Sequence, residues 1–338
     1  MKKIRIFAAA LALLLTACTP GNTPYQEQIS FFAMDTYMEI TAYGHVNTSL
    51  SDCKDEIYRL EALLSVTDET SDIGRINSAG IADVSPETAE IIKYAKQTGI
   101  ETGGALDITV YPVLKEWGFT TGDYNVPDSE ALYTLLQRVD FTQIQIEDNT
   151  IPTVTVPSGV QLDLGALAKG YASDKAAEML KQNNIDSALI NLGGNIMTIG
   201  SNPASGDPWR IGIRNPFSLE ENIGILEVTD KAVVTSGSYE RYFTAEDGRI
   251  YHHIIDPATG CPAQSGLVSA TVIGDSGIMC DALSTALFVM GAERAQEYHR
   301  EKGGFDMILV TEKGEIMITE GIADSFTNLT DFPLSVFG

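Results

Sequence analysis

Three polar segments of this chain hold residue types that could act together on a phosphoanhydride. Asp163-Leu164-Gly165-Ala166-Leu167-Ala168-Lys169-Gly170-Tyr171-Ala172 offers a carboxylate, a glycine turn and a lysine at the start of a helix. His253-Ile254-Ile255-Asp256-Pro257-Ala258-Thr259-Gly260 sets a histidine beside a rigid Asp-Pro turn. Asp281-Ala282-Leu283-Ser284-Thr285-Ala286-Leu287 puts an acid and a hydroxyl four residues apart on one helical face. A magnesium-assisted attack on a diphosphate needs hard oxygen ligands, a cation for phosphate and a base near neutral pH. The expectation is an enzyme.

Each segment also has a plainer reading. Lys169 alone reads as a solvated helix lysine. Asp281 with Thr285 could be a surface pair, but Ala282, Leu283, Ala286, Leu287 and Phe288 make that helix largely buried. A buried aspartate needs a partner or a metal. Asp163 could cap the helix after it while bare amides at Gly165-Ala166 face a ligand. Strand alternation puts His252 and His253 on opposite faces, without saying which ring points inward. Gly193-Gly194 after an apolar strand reads equally as a tight turn or a phosphate loop, since no GxGxxG or Walker-type spacing accompanies it.

The elements that must carry these segments follow an α+β pattern. Ile29 to Tyr43 reads as a strand interrupted at Met34-Asp35-Thr36, and Asp52 to Leu64 as an amphipathic helix. Ser85 caps and Pro86 opens a helix that Gly99 ends. A short helix is expected at Val110 to Trp117, and a hairpin with strands around Val154 and Val160 delivers Asp163. A helix over Lys169 to Asn183 precedes a buried strand over Ala188 to Leu192. Trp209 to Val272 is strand-rich, helices follow at 278–290 and 292–302, and strands near 306–310 and 315–318 close the body. No regular βαβ alternation appears, which argues against a doubly wound sheet.

Composition sets the surroundings. The chain is 44% hydrophobic and 20% charged, ample for a packed core. Its formal charge of −24 becomes −27 without Lys2, Lys3 and Arg5. Such a surface argues against nucleic acid, and it makes a polyanionic substrate awkward unless a metal and local cations offset the field. Lys2, Lys3 and Arg5, the apolar run Ile6 to Leu15, and Leu15-Thr16-Ala17-Cys18 form a secretory signal with a lipobox-like end. The expected organisation is a signal peptide over 1–17, a tether over 18–28 after a lipidated Cys18, and a catalytic domain over 29–338. That places the protein on the extracytoplasmic side of a cell membrane, held by lipid. The remaining Cys53, Cys261 and Cys280 read as buried thiols rather than a disulfide framework, though a Cys261–Cys280 bridge is conceivable.

The order and spacing of the segments resemble the ApbE family of FAD:protein FMN transferases, bacterial flavin-transfer lipoproteins. The resemblance runs from about Phe31 to the C-terminus. It is carried by Phe32-Ala33-Met34-Asp35-Thr36, Gly104-Ala105-Leu106-Asp107-Ile108-Thr109, Asp163 to Ala172, Asn191-Leu192-Gly193-Gly194-Asn195 and Trp209-Arg210-Ile211-Gly212-Ile213-Arg214. Thr235-Ser236-Gly237-Ser238-Tyr239-Glu240-Arg241-Tyr242-Phe243, His253 to Pro262 and Asp281 to Leu287 complete it. The resemblance implies an α+β, T-fold-related body of mixed, largely antiparallel sheets with packed helices, and an FAD cleft between two lobes.

It also implies the chemistry: magnesium-dependent transfer of FMN from FAD to a threonine or serine of a target protein, with release of AMP. Met34 would contact the flavin, and Ala105, Leu106 and Asp107 would line the nucleotide cleft. Asp163, Lys169 and Ile255 would hold the cofactor. Asp281, Thr285 and the carbonyl of Ala166 would bind magnesium, and His253 would be the general base. The acceptor would be a membrane or secreted redox protein bearing an Asp-x-x-Ser/Thr-Gly-Ala-Ser/Thr motif. Two positions depart from the family pattern. Asp35 stands where glycine is frequent, and Thr67 stands where many members stack an aromatic on the ring system. The second departure keeps open an FAD pyrophosphatase that yields FMN and AMP. A lipid-anchored flavin-binding protein is the non-catalytic alternative.

Overall fold

The computed structural model describes residues 25–44 and 49–338; the expected signal peptide, Cys18 and most of the tether lie outside these residues. The first strands are β1 (Gln26–Ala33) and β2 (Thr36–Tyr43), an antiparallel hairpin closed by Met34 and Asp35. The interruption expected within one strand is therefore a two-residue turn. Both turn residues have left-handed φ, 47° and 58°, as a hairpin of matching twist requires. The strand also starts earlier than the tether reading allowed. Gln26 to Gln28 pair with Thr41 to Tyr43, because a ladder uses backbone groups and accepts polar side chains.

Helices α1 (Ser49–Leu64), α2 (Asp72–Ala79) and α3 (Pro86–Glu101) come next, with the short β3 (Ile81–Asp83) between the last two. Ser85 caps α3 as expected, its side chain accepting from Thr88 N. Gly99 does not end that helix, which runs on to Glu101. Its missing side chain serves packing instead, since a Cβ there would lie 3.0 Å from the Phe141 ring and from Leu106 O. Then come α4 (Tyr111–Glu116), α5 (Ser129–Leu136), β4 (Gln145–Glu147) and β5 (Thr153–Thr155). The expected hairpin at Val154 and Val160 is absent. β5 pairs with β3 and β4, while Val160 is buried outside any strand. Asp163 is delivered by an extended segment instead. The Asn77 side chain brackets Leu162, accepting from its N–H at 2.6 Å and donating to its carbonyl at 2.9 Å, and Asp163 N donates to Ile108 O at 2.8 Å.

The C-terminal half holds α6 (Ala168–Gln182), β6 (Ser187–Leu192), β7 (Asn195–Ile199), β8 (Trp209–Arg214), β9 (Asn222–Val228) and β10 (Ala232–Gly237). It continues with β11 (Tyr242–Thr244), β12 (Ile250–His252), β13 (Leu267–Gly274), α7 (Gly277–Lys302), β14 (Asp306–Thr311), β15 (Ile316–Thr319), β16 (Phe326–Asn328) and β17 (Leu334–Phe337). Gly291, at φ 77° and ψ 171°, breaks α7 where two helices were expected. Gly193-Gly194 is the tight-turn reading made real, a two-residue connection between β6 and β7.

Among the described residues one sheet of nine strands, ordered β1-β2-β6-β7-β10-β13-β14-β15-β17, forms the spine, with β15 and β17 as its only parallel pair. Its two faces bury different partners. Met38, Leu192, Val234, Val272 and Leu309 meet the helices on one side. Val233, Ile273, Ile308 and Val310 meet Trp209, Ile211 and Leu226 of the β16-β9-β8 sheet on the other. Adjacent residues such as Val233 and Val234 serve opposite faces, which is the period of a strand buried on both sides. Among the described residues no helix is long and apolar enough to cross a membrane. Cys53, Cys261 and Cys280 are free thiols, with Cys261 only half-buried.

Helices α6 and α7 cross at two glycines. A Cβ on Gly170 would lie 2.6 Å from Gly277 C and 2.7 Å from Asp281 Cβ, and one on Gly277 would strike Ser173 and Gly170. Gly170→Ala should therefore lower stability by about 2 kcal/mol through overpacking against backbone. Thermal melting checks this, and an unchanged midpoint would contradict it.

Candidate active site

The α6–α7 crossing builds the first part of the site. Leu167, the N-cap of α6, supplies no side-chain cap bond, so the first turn needs an acceptor from elsewhere. Asp281 of α7 provides it: Oδ2 accepts from Gly170 N at 2.9 Å. A carboxylate at a helix N-terminus is favoured by the aligned peptide dipoles, which helps to explain a carboxylate only 4% exposed. Its Oδ1 makes no hydrogen bond among the described residues. One turn along α7, half-buried Thr285 has Oγ1 3.2 Å from Ser236 Oγ of β10, which lies 2.8 Å from Ser284 Oγ. Ala166 sits just before α6, half-buried. One carboxylate oxygen, one hydroxyl and one carbonyl make a hard all-oxygen set, which suits magnesium.

Cations gather beside this set. Lys169 and Arg241 are both close enough to Asp163 and His253 to bias their protonation, and Lys169, Arg214 and Arg241 all act on Glu240. None of the three makes a salt bridge among the described residues. In a chain with 46 acidic and 22 basic residues, a local group of unpaired cations is suited to an anionic ligand. Burial raises the Asp163 carboxyl above its usual range, against Gly165 N, which donates to Oδ1 at 2.6 Å, and the two nearby cations. Glu240 is also raised, chiefly by desolvation, although its side chain still reaches solvent.

The two histidines do face opposite ways. His252 packs edge-on against Phe288 in the main core, with Nε2 3.2 Å from Ala263 O. His253 turns toward Phe119 and places Nδ1 3.1 Å from Arg241 O. A carbonyl can only accept, so Nδ1 carries the proton and Nε2 keeps its lone pair. That is the tautomer a base requires. Burial, then the charge of Arg241, pushes the His253 pKa down to about 3. The Asp256–Gly260 turn after it is tied down by Gly260 N to Asp256 O at 2.8 Å and by Trp117 Nε1 donating to Gly260 O at 2.7 Å.

The remaining expected residues fall into different settings. Ile255 buries its side chain with Val113, Trp117 and Phe119, so a ligand contact there falls to its backbone. Ala105 and Leu106 are buried in the main core. Asp107 is already engaged: Oδ1 accepts from Thr109 N at 2.8 Å and Thr109 Oγ1 at 2.6 Å, and Oδ2 from Phe141 N at 3.2 Å. Its carboxylate braces its own loop. Met34 stands on the β1–β2 turn and Thr67 on the loop after α1, where Thr67 is exposed. Sequence reasoning gave no role to Arg214, Glu240 or Arg241, although all three stand in segments quoted for the resemblance. A depression of about 490 Å³ elsewhere is lined by Asp174, Glu178, Asp230 and Asp275 with Lys181, the wrong sign for a diphosphate.

Fold and site together set the chain among α+β enzymes. The family model that matches is the ApbE family, over residues 34–309, and the chain belongs to that family. A FAD:protein FMN transferase of Vibrio cholerae is 36% identical over 302 residues, covering 86% of this chain and 89% of that protein. One from Klebsiella pneumoniae is 34% identical over 281 residues, covering 82% and 86%. Among solved structures, the ApbE protein of Thermotoga maritima superposes with a TM-score of 0.82 at 32% identity, covering 89% of this chain and 99% of that one. The flavin transferase ApbE from Vibrio cholerae gives a TM-score of 0.79 at 29% identity, with the same coverage.

The lowered pKa of His253 means its charged form is disfavoured, so the ring stays neutral as pH falls through the usual histidine range. An NMR titration of the unliganded enzyme should show no His253 inflection between about pH 5 and 8. An inflection near 6.5 would contradict the burial argument.

Proposed function

We propose that this enzyme transfers FMN from FAD to a serine or threonine hydroxyl of a partner protein and releases AMP. The observation that carries the reading is the His253 imidazole, its Nδ1 anchored on Arg241 O and its Nε2 free, near the unpaired Lys169. The acceptor Oγ attacks the FMN-side phosphorus, its proton passes to His253 Nε2, and the phosphoanhydride bond breaks with the bridging oxygen leaving on AMP. Lys169 and Arg241 oppose the charge of the diphosphate as point and fork cations. Ala166 O, Asp281 Oδ1 and Thr285 Oγ1 would hold magnesium, which supplies Lewis-acid neutralisation of charge on the phosphoryl oxygens. Asp163 and the backbone of Ile255 would hold the nucleotide, and Met34 the flavin.

A second reading uses the same groups with water as the acceptor. Its specific support is Thr67, an exposed hydroxyl 3.1 Å from Ser65 Oγ at the position read as a family stacking aromatic. Loss of that platform would cost on the order of 1 kcal/mol of flavin binding. The N-terminal segment supports a lipid anchor at Cys18, facing membrane or secreted redox acceptors outside the cytoplasm. Cys18→Ala should move the protein from the membrane to the soluble fraction.

The function is tested with FAD, magnesium and an acceptor carrying the Asp-x-x-Ser/Thr-Gly-Ala-Ser/Thr motif. AMP release matched by an FMN mass gain on the acceptor is expected. Free FMN with an unmodified acceptor would overturn transfer in favour of hydrolysis. His253→Ala should reduce transfer by about 10²- to 10⁴-fold while FAD binding persists. Full transfer in that variant would remove His253 as the base.

A further inference from the structure

Glu61 stands in the last turn of α1, a turn without a basic residue, where a carboxylate meets the unfavourable end of the helix dipole. Its partner explains the placement. Glu61 Oε1 accepts from Met34 N at 2.6 Å, so the end of α1 holds the β1–β2 turn. That turn is strained, because Met34 and Asp35 both carry side chains at positive φ. It is pressed from its other side too: Thr36 fills the space where Gly193, at φ 64°, lacks a Cβ. The end of α1 runs directly into the Thr67 loop. Ser65 N donates to Glu61 O at 3.0 Å, and Ser65 Oγ accepts from Thr67 N at 3.2 Å.

We propose that Glu61 is a positioning residue that fixes Met34 as one wall of a flavin-ring subsite. The inference rests on reading Met34 as a flavin contact. Glu61 itself touches no group of the phosphate chemistry, so its effect belongs to FAD affinity and not to turnover.

The test compares Glu61→Ala, Glu61→Gln and Asp35→Gly, alone and with Glu61→Ala, in the otherwise intact enzyme. Three quantities are read: hydrogen exchange at the Met34 amide, the Kd for FAD by flavin fluorescence, and kcat for AMP release at saturating FAD. Losing one charged hydrogen bond should speed Met34 exchange and weaken FAD binding, each by about tenfold, with kcat within about twofold. Glu61→Gln keeps an acceptor oxygen and should stay near wild type. Asp35→Gly, which removes side-chain strain at positive φ, should offset the Glu61→Ala loss by more than it changes the parent enzyme. Should the alanine variant not fold, Glu61→Asp, one methylene short, makes the same comparison. A Met34 amide still protected in Glu61→Ala would overturn the positioning role while leaving the flavin reading of Met34 intact. A released amide with unchanged Kd would overturn it by removing Met34 from the flavin site. A fall in kcat with unchanged Kd would also overturn it.

Discussion

The site depends on how closely α6 and α7 approach. Gly170 and Gly277 face each other with no room for a methyl group, and at that distance Asp281 reaches the open first turn of α6. The bond to Gly170 N satisfies a donor that α6 does not cap itself. It also ties Asp281 to the first turn of α6, which holds Lys169 and follows directly on Ala166, while Thr285 stands one turn further along α7. A wider crossing would leave a buried carboxylate without its partner, which is costly. Helix packing and the placement of the Asp281 carboxylate are thus one event.

The rest of the body keeps that crossing in place and brings His253 to it. The nine-stranded sheet backs both helices through Met197, Val234 and Val272, and the β8–β9 sheet seals its far face. His253 packs edge-on against Phe119 of a separate cluster around Trp117, whose indole donates to Gly260 O. His253 and the α6–α7 crossing thus rest on two different apolar clusters, and Lys169 of α6 is close enough to His253 to act on its charge. In an acidic protein, a local group of cations without salt bridges among the described residues favours an anion there.

Much of this was legible in sequence where a local signal was strong. Ser85-Pro86 marked the start of α3, Gly291 lay between the two expected helical runs, and the apolar neighbours of Asp281 indicated its burial. Tertiary constraints were less legible. Val154 and Val160 look like paired strands by alternation, yet the Asn77 side chain brackets Leu162 and β5 finds other partners. Gly99 looks like a helix stop but makes room for Phe141. Asp107 looks available to a ligand, but Thr109 and the distant Phe141 amide occupy it. The roles of Arg241 and Glu61 rest on contacts across 12 and 27 residues, distances at which no periodicity speaks.

The central claim is that Asp281 works twice, as the cap of α6 and as a metal ligand. Asp281→Asn separates the two duties, since an amide oxygen can still accept from Gly170 N but carries no charge for a cation. The decisive measurement is magnesium-dependent AMP release from FAD by this variant, beside its melting temperature. Melting near wild type with AMP release reduced by at least ~100-fold is the expected result. Full magnesium-dependent release from a normally folded Asp281→Asn enzyme would contradict the account.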